Sequence, residues 1–326
     1  MRLTVGDLSF FNPGARHTKI KGWGCMKART GKLTGSDHLA GYLFISPWLI
    51  GFAGFTLVPL LVSLYLSFTK YDVLSSPVWV GWDNYRTMFT NDERYWKAVK
   101  ATLIYVFTAV PLKLAFALLV AMLLNARMKM IGFYRTVYYL PSVIGGSVAV
   151  AVMWRQLFGV NGALNSLLAA LGVEGKISWI MDPRTAIWTL ILLGTWQFGA
   201  SMLIFLAGLK QIPSGLYEAA LIDGAGALQR FRKITLPLLT PVIFFNLIMQ
   251  IIAGFKSFTE SLLVTGGGPF DSTLFYGLYL YEKSFKYFDM GYGAAMAWVL
   301  LLITALFTAI IFKSSTQWVH YESKGK

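Results

Sequence analysis

The chain has 326 residues, of which 56% are hydrophobic and 13% charged, and its formal net charge is +14. That balance leaves too little polar surface to cover a soluble domain, so the chain is expected to live in lipid. Its single cysteine, Cys25, excludes an internal disulfide and a cysteine-built metal cluster.

A bilayer core about 30 Å thick needs about 20 apolar residues in helical form, and the sequence predicts six such runs in an all-α, polytopic membrane protein. Residues 1–38 form a basic stretch with no apolar segment followed by a small-residue cleavage site. It reads as a cytoplasmic tail lying on anionic lipid, not as a signal peptide. The first run, Leu39 to Thr69, carries no charge and contains Pro47 and Pro59, so it is long enough to span with tilt or a kink. The second, Ala101 to Leu124, is interrupted only by Lys113, read here as snorkelling or bonded to a carbonyl. The third, Thr136 to Trp154, holds Pro141 and the Gly145-Gly146 pair; the fourth runs from Ala186 to Leu209, the fifth from Leu236 to Phe255 and the sixth from Gly291 to Phe312. The runs are continuous and do not alternate with period two, which excludes a β-barrel. The six-helix domain is set at 39–315 and a C-terminal cytoplasmic tail at 316–326.

Lys and Arg set the orientation. With the N-terminus inside, 17 of the 29 basic residues and 5 of the 15 acidic ones fall on the cytoplasmic side, against 11 and 10 outside. Both termini are therefore expected on the cytoplasmic side. The positive charge reflects orientation, and nucleic acid is not an expected partner.

Catalytic chemistry is sparse. His17, His38 and His320 all lie outside the runs, and no metal motif is present. Gly31-Lys32 is followed by Leu33 and Gly175-Lys176 by Ile177, so the phosphate-binding loop of a nucleotide hydrolase is missing. If ATP drives this protein, a partner hydrolyses it. The alternative is an ion-coupled secondary transporter, which holds its ion on carboxylates or unwound backbone near the midplane. None of the six runs contains Asp or Glu, which argues strongly against proton coupling and less strongly against sodium.

Between the fourth and fifth runs, segment 210–235 combines helix-start chemistry at Pro213, Ser214 and Gly215 with Glu218 in the first turn, where the helix dipole favours a carboxylate. One short helix is expected through Glu218, Ala219, Ala220, Leu221 and Ile222, a turn at Asp223-Gly224 with the glycine left-handed, and a second helix from Ala227 to Ile234. Small residues at Ala219, Ala220, Ala225 and Ala227 let another protein approach the backbone. An ordinary amphipathic loop at the headgroups would show much of this.

The ordered set Glu218, Ala219, Ala220, Asp223, Gly224 and Ala225, followed by Ile234, Leu236 and Pro237, resembles the coupling loop of ATP-binding-cassette importer permeases. The likeness extends to Gly81-Trp-Asp-Asn-Tyr85, Trp196, Ala207 to Pro213, Thr265 to Pro269 and Phe288 to Tyr292, and is closest to permeases for disaccharides, oligosaccharides and glycerol phosphate. It covers the chain from Leu39 onward.

This resemblance implies a permease subunit that is not itself an enzyme and holds no cofactor, ATP and Mg being bound by the partner. The implied partners are a second permease subunit, two ATPase subunits and an extracytoplasmic solute-binding protein. Glu218 would pair with a basic residue in a cleft of the ATPase. Trp196, Gln197, Phe198 and Ser201 on the fourth run, and Gln250, Gly254, Lys256 and Ser257 on or after the fifth, would line the cargo path; related permeases use the positions of Phe198, Ser201, Gly254 and Ser257 for sugar contacts. For each of these residues helix packing is the competing role. Thr265, Gly266, Gly267, Gly268 and Pro269 would form the outer mouth facing the binding protein. Relatives that carry neutral sugars more often have an amide where Lys256 stands. Its cation points either to an acidic oligosaccharide or to a structural pair with Glu260 at i+4.

Overall fold

The computed structural model describes residues 35–126, 129–173 and 176–320. The basic tail through residue 34, with His17 and Cys25, lies outside the described residues, as do Arg127, Gly175 and the last residues with Lys324 and Lys326.

Two compact units divide the chain after Leu57. The first contains α1 (Gly35–Phe52) and a five-residue π turn (Ala53–Leu57). Within it Trp48 stacks on Phe52, with ring centroids 5.4 Å apart.

The second unit opens with α2 (Val58–Ser67), followed by an antiparallel pair, β1 (Thr69–Lys70) and β2 (Val78–Trp79), and by α3 (Asp83–Thr90). The Gly81-to-Tyr85 motif now has a physical role. Asn84 donates to the carbonyls of Ser67 and Thr69, both at 2.9 Å, and the Tyr85 hydroxyl donates to Ser67 Oγ at 2.8 Å. The motif therefore ties α3 back onto the end of α2.

At the centre lies α4 (Glu93–Asn125), 33 residues long. It buries Ala98, Ala101, Tyr105, Ala109, Ala117, Ala121 and Leu124 along one stripe at helical spacing. Small residues on that stripe let α8 (Ala186–Trp196), α9 (Gly199–Gln211) and α12 (Leu236–Phe255) approach closely. The remaining elements are α5 (Ile131–Ile144), α6 (Val148–Leu157), α7 (Ala163–Ala170), α10 (Ser214–Ile222), α11 (Ala227–Arg230), α13 (Tyr276–Tyr281) and α14 (Met290–Trp318).

Among the described residues four helical stretches are long and apolar enough to cross a membrane without interruption: Gly41–Ser67, Glu93–Asn125, Ala227–Phe255 and Met290–Trp318. The third and fourth expected runs are not single helices. Ile131–Ile144 and Val148–Leu157 meet at 97°, and Ala186–Trp196 and Gly199–Gln211 at 42°. Counting each bent pair as one span gives six. The sharper break falls at Gly145-Gly146, where two of the weakest helix formers adjoin. Ser147 then starts α6 by accepting the Val150 N–H at 3.3 Å.

The second helix expected in segment 210–235 also differs. α11 passes through a π turn (Phe231–Thr235) directly into α12, so Ala227–Phe255 is one continuous helix. Pro237 lies inside this continuous helix and has no N–H to donate, but the π turn just before it, in which the Leu236 N–H bonds to the Phe231 carbonyl, takes up the local change in register so that the helix runs on.

Candidate functional site

The two helix breaks meet. Ser142, in the last turn of α5, donates its hydroxyl to the Gln197 carbonyl at 3.0 Å and accepts the Ala200 N–H at 3.0 Å. It thereby satisfies backbone groups released where α8 gives way to α9. Gln197 stands at this break, its side chain packed against Gly145, and borders a cavity of about 360 Å³ bounded by α4, α8, α12 and the coil after α12.

Gln197, Gln250, Gly254, Lys256 and Ser257 line this cavity, together with Tyr105, Lys113 and Glu260. Gln250 donates to Ser201 Oγ at 3.1 Å and Ser257 donates to Glu260 at 2.9 Å. Gly194 faces Tyr105 so closely that any Cβ there would collide with the phenolic oxygen. Gly254 packs on Val106, which a Cβ would approach to 3.1 Å, so it serves helix packing and the cavity wall together. The wall offers amides, hydroxyls, two ammonium groups and one carboxylate, a set suited to a polyhydroxylated molecule held by many hydrogen bonds.

Three of the residues expected on the path are not on this wall. Trp196 packs at a tilt on Trp154 with ring centroids 5.9 Å apart, and Phe198 is buried between Phe116 and Tyr138 at 4.7 and 6.1 Å. Ser201 is fully buried behind Gln250. The Lys256–Glu260 pair is also not formed among the described residues. It presumed one helix face, but α12 ends at Phe255 and Lys256 is its C-cap, so the two side chains are no longer one turn apart. Instead Glu260 is bonded to Ser257. The structure also adds what the runs omitted: Glu260 brings a carboxylate to the cavity, and Lys113 opens onto it. A lone charge inside an apolar span was the available signal for Lys113.

On one side of the cavity, residues after α12 build a loop. A π turn (Ser261–Thr265) leads to Gly266 and Gly267, left-handed at φ +61° and +83°, and to the cis Gly268–Pro269 peptide. The Thr273 hydroxyl lies 2.7 Å from Thr265 Oγ1 and 2.6 Å from the Gly268 carbonyl, closing the loop on itself. Asp271 then anchors it to α4 through Arg94 at 2.9 Å and Lys97 at 3.9 Å, and Arg94 also reaches Glu282 at 3.3 Å. Next to this, Asp92 accepts the hydroxyls of Tyr279 and Tyr292, the latter at 2.6 Å, and the Tyr95 N–H at 3.1 Å, with Lys283 at 3.8 Å. Burial pushes the Asp92 carboxyl up, but these hydrogen bonds and the Lys283 charge outweigh it and hold the group below its ordinary value. The same burial, with the Asp92 hydrogen bond, pushes the Tyr279 hydroxyl up.

At the opposite end of α9, α10 and α11 carry segment 210–235. Gly224 is left-handed at φ +75°, and the Ala225 N–H closes the turn on the Ala220 carbonyl at 2.8 Å. Tyr217 and Thr235 share a hydrogen bond of 2.9 Å that ties α10 to the base of the following helix. Glu218, Ala219 and Asp223 are exposed, Ala220 and Ala225 half-buried. Ile222 is 88% exposed and Leu228 63%, an apolar surface left uncovered by the described residues.

Residues 90–315 match a protein family described as the binding-protein-dependent transport system inner membrane component. A probable ABC transporter permease protein of Bacillus subtilis, YesP, is 58% identical over 88% of this chain and 94% of its own length. The arabinooligosaccharides transport system permease protein AraP of the same species is 34% identical over 86% and 90%. In fold, the chain is similar to a chain from the crystal structure of a bacterial ABC transporter involved in the import of the acidic polysaccharide alginate, with a TM-score of 0.74, 21% identity, and coverage of 86% and 96%.

Proposed function

Because the chain belongs to the family of binding-protein-dependent transport system inner membrane components, we propose that it carries an acidic oligosaccharide through the polar cavity between α4, α8 and α12. It is the permease subunit of an ABC importer and not an enzyme, ATP hydrolysis falling to a separate subunit. An oligosaccharide is favoured by the relatives, which include a permease named for arabinooligosaccharides, and by the amide-rich wall of the cavity.

The acidic character rests on one observation. Lys113 and Lys256 both line the cavity, whereas its one carboxylate, Glu260, takes a hydrogen bond from Ser257 and forms no ion pair with either lysine among the described residues. Two ammonium groups facing one carboxylate in a site of reduced dielectric favour an anionic cargo and give it charge-assisted hydrogen bonds.

In this reading cargo arrives from an extracytoplasmic binding protein at the mouth formed by Thr265 to Pro269. Trp196, Phe198 and Ser201 hold Gln197 and Gln250 in place instead of touching cargo. A second permease chain completes the path, and both termini face the cytoplasm, in keeping with the distribution of Lys and Arg. Two ATPase subunits bind ATP and Mg. One of them docks on α10 and α11, with Glu218 pairing to a base, Asp223 and Gly224 forming the bend, and Ala219, Ala220 and Ala225 allowing close approach.

The test is cargo-stimulated ATPase activity of the reconstituted importer with uronate oligomers and with neutral maltodextrins. Wild type is expected to respond to uronates. Lys113→Gln and Lys256→Gln should each weaken that response about tenfold, the loss of one charge-assisted contact. An equal response to neutral oligomers, or full uronate response in both variants, overturns the acidic reading.

A further inference from the structure

At the end of α4 far from Asp92, helices α4, α5 and α9 border an open groove of about 490 Å³ onto which Lys129, Arg135 and Lys210 open. Among the described residues no carboxylate lines it and none of the three cations forms an ion pair. The Nε of Arg135 is buried without a hydrogen-bond partner. In addition, α5 starts here without a cap. Its N-cap is Met130, left-handed at φ +59°, which offers no side-chain acceptor to the first amides of this 14-residue helix. Gathered like charges, an unpaired guanidinium N–H and the positive end of a helix dipole are all relieved by the same thing, a bound anion with several acceptor oxygens.

We propose that this pocket binds the phosphate of an anionic membrane phospholipid. A lipid suits the setting better than a soluble anion because of where the pocket lies. α4 ends at Asn125 and α9 at Gln211, so the cations stand where the apolar helices stop, at headgroup level. Leu124 and Ile131 line the pocket beside them and give the glycerol and the first methylenes an apolar wall. Lys210 lies four residues before α10, so a lipid held there also sits at the joint between the helical bundle and the exposed α10–α11 segment. The proposal needs only that these helices span a membrane, and depends neither on the cargo nor on the coupling role.

The full chain, purified with its partners, is placed in nanodiscs of phosphatidylcholine with and without phosphatidylglycerol. Retained lipid is read by native mass spectrometry and stability by melting temperature. Wild type should retain phosphatidylglycerol about tenfold over phosphatidylcholine and melt higher in its presence. Arg135→Gln with Lys210→Gln should lose both effects while melting normally in phosphatidylcholine, and Lys210→Gln alone should lose part of them. Lys313→Gln, an exposed cation near the same end of α14, should lose neither. The proposal is overturned if the double variant keeps the preference or if Lys313→Gln loses as much, which would mark diffuse attraction to the surface. It is also overturned if inorganic phosphate raises the melting temperature of detergent-solubilised protein as far as the lipid does, which would mark a soluble-anion site.

Discussion

The residues around Asp92 and the residues around Gly224 occupy opposite ends of the same unit, and they use polar and apolar groups in opposite ways. Around Asp92, charges are matched within the chain: Arg94 with Asp271 and Glu282, Lys283 with Asp92, Lys286 with Glu282. Around Gly224, Glu218 and Asp223 enter no ion pair among the described residues, and Leu221, Ile222 and Leu228 stand exposed. The first region is folded by its own contacts. The second is shaped by its own contacts, the left-handed Gly224 and the Tyr217–Thr235 hydrogen bond, and in the proposed function its exposed surface is where the ATPase docks. Hence a substitution near Asp92 should cost stability, and one near Gly224 should cost function.

The largest effect is expected at Glu218. Glu218→Lys reverses an exposed charge that forms no ion pair among the described residues, so the melting temperature should stay within about 1 °C of wild type, as for most surface changes. ATP-driven uptake should nevertheless fall at least about tenfold, because a matched contact with the ATPase becomes a repulsive one. Uptake assays beside thermal melts would check this; wild-type uptake would make the segment an ordinary surface loop and erase the contrast.

A smaller effect concerns pH. The Asp92 carboxyl is held below its ordinary value of 3.8. A group depressed on folding stabilises the protein above its unfolded-state value, and that contribution disappears as pH falls through the lowered folded-state value. The difference in melting temperature between wild type and Asp92→Asn should therefore be constant from about pH 5 to pH 8 and close only below about pH 4. A gap of the same size at about pH 3 would show that the carboxylate's charge is not what holds this region together.

How much of this was legible in the sequence depends on whether the signal is local. The apolar runs, the Asp223-Gly224 turn and the start of α10 near Ser214 are written in neighbouring residues, and the structure has them. Belonging to the importer family was legible in the spacing from Glu218 to Pro237. The breaks in α5–α6 and α8–α9 were not, although Pro141 and the two glycines stood in view, because a membrane helix tolerates such residues unless a neighbour takes up the freed backbone groups. Ser142 does that from 55 residues away. Long-range placement also decides that the side chains of Trp196, Phe198 and Ser201 pack within this chain, one of the two roles the sequence leaves open for each. It likewise hid Lys113 and Glu260, which share a cavity wall only because α4 crosses the end of α12. The collar around Asp92 joins residues from α4, α13 and α14 separated by up to 200 positions, beyond the reach of any spacing rule.

The most direct test sets the two ends side by side. Gly224→Asp and Asp92→Asn are each extracted from membranes in mild detergent, and both the bound ATPase and the melting temperature are measured. Gly224→Asp places a side chain at φ +75° in an exposed turn with open space around it, so it should melt within a few degrees of wild type and lose its ATPase. Asp92→Asn should keep the ATPase and lose about 1–3 kcal/mol of stability, since Lys283 is left without its charge partner and two buried tyrosine hydroxyls lose a carboxylate acceptor. If Gly224→Asp keeps the ATPase, or if Asp92→Asn releases it without a fall in melting temperature, the division between a self-contained region around Asp92 and a partner-binding one around Gly224 is wrong.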